Sequence, residues 1–213
     1  MNQEKDYLQD LTDIRSMMER STRFISLSGL SGVFVGIVAL TGAGIAHWKV
    51  KQFFYEVDTS YVDQSYSSDY NNLFINLTII ALSVLIIALL GGWYFTARKA
   101  KKQGQKIWTK ASRQLLTNLF IPLVAGGVFC IAMYYHRLVG LIAPGMLIFY
   151  GLALVNSSKY TLNDIRYLGL LEITLGLIAL FFYGYGLYFW VIGFGVLHIL
   201  YGISMYYKYD RKK

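Results

Sequence analysis

Apolar runs of about twenty residues recur along the whole chain, and short clusters of charge separate them. No feature constrains the fold more. A helix rises 1.5 Å per residue, so roughly 20 apolar residues cross the ~30 Å hydrocarbon core of a bilayer. In lipid every backbone N–H and C=O needs a partner within the protein, which leaves helices or closed barrels. The runs here are far too long for barrel strands. They predict an all-α fold, a polytopic transmembrane bundle with six spans near 24–46, 73–95, 115–135, 138–155, 162–184 and 187–207. Composition agrees: 55% of residues are apolar and 15% charged, against about a quarter charged in soluble domains. The expected division is residues 1–23 as a cytoplasmic or interfacial segment, 24–207 as the membrane domain and 208–213 as a basic tail.

Charge placement sets the orientation. The stretch from Arg98 to Arg113 carries Arg98, Lys99, Lys101, Lys102, Lys106, Lys110 and Arg113 and no acid. It lies between two apolar runs and reads as a basic cytoplasmic loop. With the N-terminus inside and six alternating spans, seventeen of the twenty Lys and Arg residues fall inside. Only Lys49, Lys51 and Arg137 fall outside. The positive-inside rule therefore predicts that both termini are cytoplasmic, and it disfavours five or seven spans. The net charge of +8 follows from this bias, so no direct nucleic-acid partner is expected. The expected partners are the bilayer, its anionic headgroups and a protein at the cytoplasmic face.

The segments around the spans carry weaker signals. Tyr7, Leu11, Ile14, Met18 and Ile25 recur at helical spacing and predict an amphipathic N-terminal helix. Residues 47–72 read as a long connection in which Glu56, Asp58, Asp63 and Asp69 alternate with tyrosines. Their spacing lacks the glycine turn and terminal glutamate of a calcium loop. Ser28, Gly32 and Gly36 form a small-xxx-small ladder on the first span, suited to another span of the chain or to a second copy in a homo-oligomer. Pro122 and Pro144 fall within spans, where proline tends to kink a helix. Thr161 and Asp164 have capping-box spacing and predict that the fifth span starts near Leu162. The single cysteine, Cys130, leaves no intramolecular disulfide and no CxxC pair.

Ionisable groups within spans are expensive and are the first candidates for function. Glu172 in the fifth span and His198 in the sixth qualify. Thr174, Tyr201 and Asn118 are expected at comparable depth and would complete a polar cluster. Such a cluster serves either as a protonatable site in a transport path or as an interhelical clamp. The sequence has no P-loop, HExxH, GxSxG or strand-linked GxGxxG motif, so no enzyme activity, metal or cofactor is expected.

The segment IRSMMERSTRFISLSGLSGVFVGIVAL, Ile14 to Leu40, resembles the start of multi-span inner-membrane proteins of Bacteroidota-type bacteria. The resemblance covers the N-terminal segment and first span closely, and the remainder in layout. It implies a bacterial inner-membrane location and, through association with small winged-helix regulators, a sensing or regulatory role. The combined expectation is a non-enzymatic accessory, sensing or regulatory membrane protein. A small transporter or channel using Glu172 and His198 is the competing reading.

Overall fold

The computed structural model describes residues 24, 27–59 and 66–211, and among them every regular element is helical. Residues 1–23, which hold most of the expected amphipathic helix, the centre of the 47–72 connection, and Lys212 and Lys213 lie outside the described residues.

In chain order, α1 is Gly29–Thr59, α2 Tyr66–Lys102 and α3 Lys110–Tyr135. Helix α4 is Ile142–Ser157, flanked by 3-10 turns at Val139–Leu141 and Ser158–Tyr160. Helix α5 is Asp164–Ala179. The last helix, α6, runs Gly186–Asp210, with α-helical turns at Gly186–Trp190 and His198–Met205 and π-helical stretches at Val191–Leu197 and Tyr206–Asp210. Five of the six, with α4 counted together with its flanking turns as Val139–Tyr160, are long and apolar enough to cross a membrane. Helix α5, at 16 residues, rises only about 24 Å.

The helices outrun the apolar runs. Helix α1 continues to Thr59 rather than ending at Ala46, and α2 begins at Tyr66 rather than Leu73. A helix that extends past the hydrocarbon core carries polar residues there, and those leave no apolar signal. The expected basic loop contracts for the same reason. Arg98, Lys99, Lys101 and Lys102 belong to the end of α2, Lys110 and Arg113 to the start of α3, and only Lys106 lies in the connecting turn.

That turn is closed by two capping devices. Gly104 has φ of 63°, its N–H donates to the Lys101 carbonyl, and the Gln105 N–H donates to Ala100. This is a Schellman ending with glycine in the left-handed position. Thr109 then caps α3, its hydroxyl accepting from the Ser112 N–H while the Ser112 hydroxyl accepts from the Thr109 N–H. At the expected Thr161–Asp164 cap, the Thr161 hydroxyl donates to the Phe24 carbonyl at 2.8 Å, and α5 starts at Asp164. Pro144 falls in the first turn of α4, where its missing N–H costs nothing, so it does not kink a span interior.

The chain forms two compact units. One holds residues 97–177 and the segment ending at Leu27; the other holds 28–96 and 178 onward. In the first, α4 and α5 run antiparallel and meet backbone to backbone. A Cβ on Gly151 would lie 2.5 Å from the Gly169 carbonyl oxygen, and one on Gly169 would lie 2.7 Å from that of Gly151. Helix α3 joins α4 where Asn156 donates to the Asn118 carbonyl at 2.9 Å, and where Phe129 packs on Phe149.

In the second unit, the small-residue face of α1 meets α6. A Cβ on Gly32 would lie 2.9 Å from the Gly202 Cα, and one on Gly36 would lie 2.7 Å from the Gly195 carbonyl oxygen. Ser28, just ahead of this helix, and Ala39, Ala43 and Ala46 on it are buried too. The ladder is thus filled by another helix of the same chain. Helix α2 shows the opposite character: Ile79, Leu82, Leu85, Ile86, Leu89 and Leu90 are all exposed. A contiguous apolar face of that size suits lipid rather than water.

Candidate functional site

Glu172 is the one acid fully withdrawn from solvent among the described residues, at 0% exposure. Its position follows from the glycine crossing. Gly169 allows the α5 backbone to touch α4 at Gly151, and Gly176 repeats the close approach at Leu147 and Ile148. Glu172 lies between those two glycines, near the middle of α5, and is held against α4 with Leu147, which is also fully buried. The phenol of Tyr150, on α4, interacts with it electrostatically. Sequence reasoning missed Tyr150, because a tyrosine in an apolar run carries no signal until the facing helix is known.

The polar residues expected around Glu172 are engaged elsewhere. Thr174 is exposed, and its hydroxyl donates to the Leu170 carbonyl one turn back on its own helix. The Asn118 side chain donates to the Gln114 carbonyl in the same way. Both residues satisfy themselves locally, as serine, threonine and asparagine do in apolar surroundings.

His198 and Tyr201 belong to the other unit. His198 is 5% exposed, and its Nδ1 lies 3.0 Å from the Gly193 carbonyl oxygen. A carbonyl only accepts, so that nitrogen carries the proton. The π-helical stretch Val191–Leu197 sets this up by displacing the backbone just before His198, and the ring stacks on Phe194 at 6.0 Å. Tyr201 is half-buried one turn further on.

The basic turn is exposed by contrast. Lys101, Lys102, Lys106, Lys110 and Arg113 are all exposed, as is Trp108, and the Arg113 guanidinium lies 5.5 Å from the Trp108 ring centroid. Lys99 differs: its Nζ donates to the Leu27 carbonyl at 2.6 Å and so holds the chain just before α1. Near Leu27 in the sequence, the Phe24 N–H donates to the Tyr160 carbonyl at 2.8 Å, complementing the Thr161 contact. The segment ahead of α1 is therefore fastened to the α4–α5 turn by a reciprocal pair of hydrogen bonds.

Comparison with protein families, curated proteins and solved structures gave no match.

Among the described residues no group of three His, Cys, Asp or Glu side chains gathers as a metal site. His47 packs edge-on to Tyr188, and His136 packs edge-on to Tyr135. What the geometry offers is a buried carboxyl at a tight helix crossing, a buried imidazole at a π-helical turn, and a basic, aromatic turn open to its surroundings.

Proposed function

We propose that this chain is a six-span protein of the bacterial inner membrane, with both termini cytoplasmic. It acts as a non-enzymatic accessory, sensing or regulatory component through its cytoplasmic face. The seventeen-to-three charge division supports the orientation. The sixth crossing is assigned to α5. Turns from Leu162 and Asn163 at one end, and to Phe181 and Phe182 at the other, lengthen its 16 residues toward the required span.

The observation that carries the functional reading is the Phe24 clip. In this orientation the Tyr160 and Thr161 contacts lie on the cytoplasmic side. Whatever acts on the N-terminal segment is thus coupled through Phe24 to the turn that leads into α5. The exposed cations of the α2–α3 turn occupy that same side of the membrane and present a surface to a partner. Affinity purification of the tagged chain from native membranes tests this. The expected result is a stoichiometric protein partner that the Thr161→Val variant retains less well. Recovery of the chain alone, with solute uptake into liposomes, overturns it.

The second reading is a small transporter or channel, and one observation favours it. A fully buried carboxyl at the middle of a membrane helix is costly to keep. If Glu172 works in transport, Glu172→Gln abolishes proton-coupled uptake while the protein still inserts. The dispersal of Thr174 and Asn118 onto their own helices makes this the weaker reading.

A further inference from the structure

We infer that the turn joining α2 and α3 is a headgroup site for an anionic phospholipid. The Arg113–Trp108 cation–π pair forms its centre, and Lys106 and Lys110 flank it. The inference deepens the proposed function, because it rests on the reading that α2 and α3 cross the bilayer. One candidate span ends at Lys102 and the next begins at Lys110. The residues between them therefore lie at headgroup depth, on whichever side of the membrane the turn faces.

Three observations point to a lipid phosphate. First, the stretch 97–113 carries seven cations and no acid. A zwitterionic headgroup would bring an ammonium into that field, whereas an anionic one brings only negative charge. Secondly, Trp108 is 62% exposed at the start of a span. Indole is favoured at this depth, because the ring contacts acyl chains while its N–H meets polar groups. Thirdly, the Arg113 guanidinium lies over that ring. A guanidinium paired with a ring still has N–H donors to offer a phosphate, and its planar fork makes arginine the preferred phosphate ligand.

The turn is also ordered in advance. The Schellman ending at Gly104 and the Thr109–Ser112 capping box fix both of its ends. Trp108 and Lys110 flank Thr109 directly, and Arg113 follows one turn later, its N–H donating to the Thr109 carbonyl. The backbone that carries the cations and the ring is thus held by its own hydrogen bonds rather than gathered by the ligand.

The test is native mass spectrometry of the full chain in detergent micelles, with phosphatidylglycerol and phosphatidylcholine of matched acyl chains as probes. The wild type should retain phosphatidylglycerol about tenfold or more over phosphatidylcholine. The triple variant Lys106→Gln, Lys110→Gln, Arg113→Gln should bring that ratio close to one. Lys49→Gln with Lys51→Gln should leave it unchanged. Arg113→Lys keeps the charge and the topological signal, so it should insert normally, yet lower the ratio several-fold through loss of the planar guanidinium fork.

The proposal is overturned if the wild type shows no preference, if the triple variant matches it, or if the Lys49 and Lys51 control loses as much. Displacement of the lipid by inorganic phosphate at equal concentration would also overturn it, in favour of a simple anion site. A micelle has no inside or outside. Failure here therefore leaves the cytoplasmic assignment standing, and failure of that assignment leaves this result standing.

Discussion

The carboxylate of Asp210 caps the helix that begins at Gly29. Its Oδ2 lies 3.0 Å from the Gly29 N–H and 3.3 Å from the Ser28 hydroxyl, both of which donate to it. The last helix thereby closes onto the start of the first within one compact unit. A lone acid in a basic tail is given its role by a backbone donor 181 positions away.

Removing that cap should be measurable. An acid at a helix N-terminus gains from both the hydrogen bond and the helix dipole, so Asp210→Ala should cost about 1 kcal/mol. For a chain of this length that lowers the melting midpoint in detergent by about 2–4 °C. Asp210→Asn keeps an acceptor and loses the charge, and it should fall between wild type and Asp210→Ala. Equal midpoints for all three would show that the contact contributes nothing.

The glycine crossing gives a paired prediction. At Gly151 an added Cβ meets the Gly169 carbonyl and the Ile173 backbone, neither of which can turn aside. Gly151→Ala should therefore separate α4 from α5 and cost about 1–3 kcal/mol. At Gly127, in the neighbouring α3, nothing lies within 4 Å of the added carbon. There Gly127→Ala should stabilise the helix by about 0.5–1 kcal/mol. Thermal unfolding of both variants in one detergent checks the opposite signs.

Arg137 makes the turn after α3 in a left-handed conformation, φ 64°, and it is the one non-glycine residue with positive φ among those described. Its N–H donates to Tyr134 and the Leu138 N–H donates to Met133, the Schellman pattern that normally takes glycine. Arg137→Gly should stabilise the protein by about 1 kcal/mol. It removes a cation from the side that the charge bias already leaves sparse, so orientation should not change. A lowered melting midpoint would contradict the conformational argument.

The Phe24 clip predicts a local effect. Thr161→Val keeps the shape and deletes the hydroxyl that donates to the Phe24 carbonyl. Hydrogen exchange at the Phe24 amide, which donates to Tyr160, should accelerate about tenfold, since a lost hydrogen bond is worth about 1 kcal/mol or more. Exchange within α3 should be unaffected. Unchanged protection at Phe24 would mean that the segment is held by something other than this pair.

The long apolar runs make most of the helices legible in the sequence, because a run of bilayer length seldom forms anything but a spanning helix. The helix ends are not legible, since α1 past Ala46 and α2 before Leu73 are polar helix with no apolar period to reveal them. The capping box at Thr109 is not legible either, because its partner is a serine, and the usual pattern does not include that pairing. The π-helical turns of α6 leave no trace, because an extra residue per turn changes no residue type. For the candidate site, the burial of Glu172 and His198 is legible from their apolar neighbours. The company they keep is not. Thr174 and Asn118 turn to carbonyls of their own helices, and Tyr150 becomes a neighbour of Glu172 only through the Gly151–Gly169 crossing.

The assignment of α5 as a sixth crossing is central to the proposed orientation and can be measured directly. With Cys130 replaced by alanine, single cysteines are placed at Lys159 and Tyr185, exposed positions on either side of α5. Intact cells are then treated with a membrane-impermeant thiol reagent. Six spans predict labelling at 185 in intact cells and at 159 only after permeabilisation. Labelling of both positions, or of neither, from outside would mean that α5 does not cross, and the six-span reading would fall.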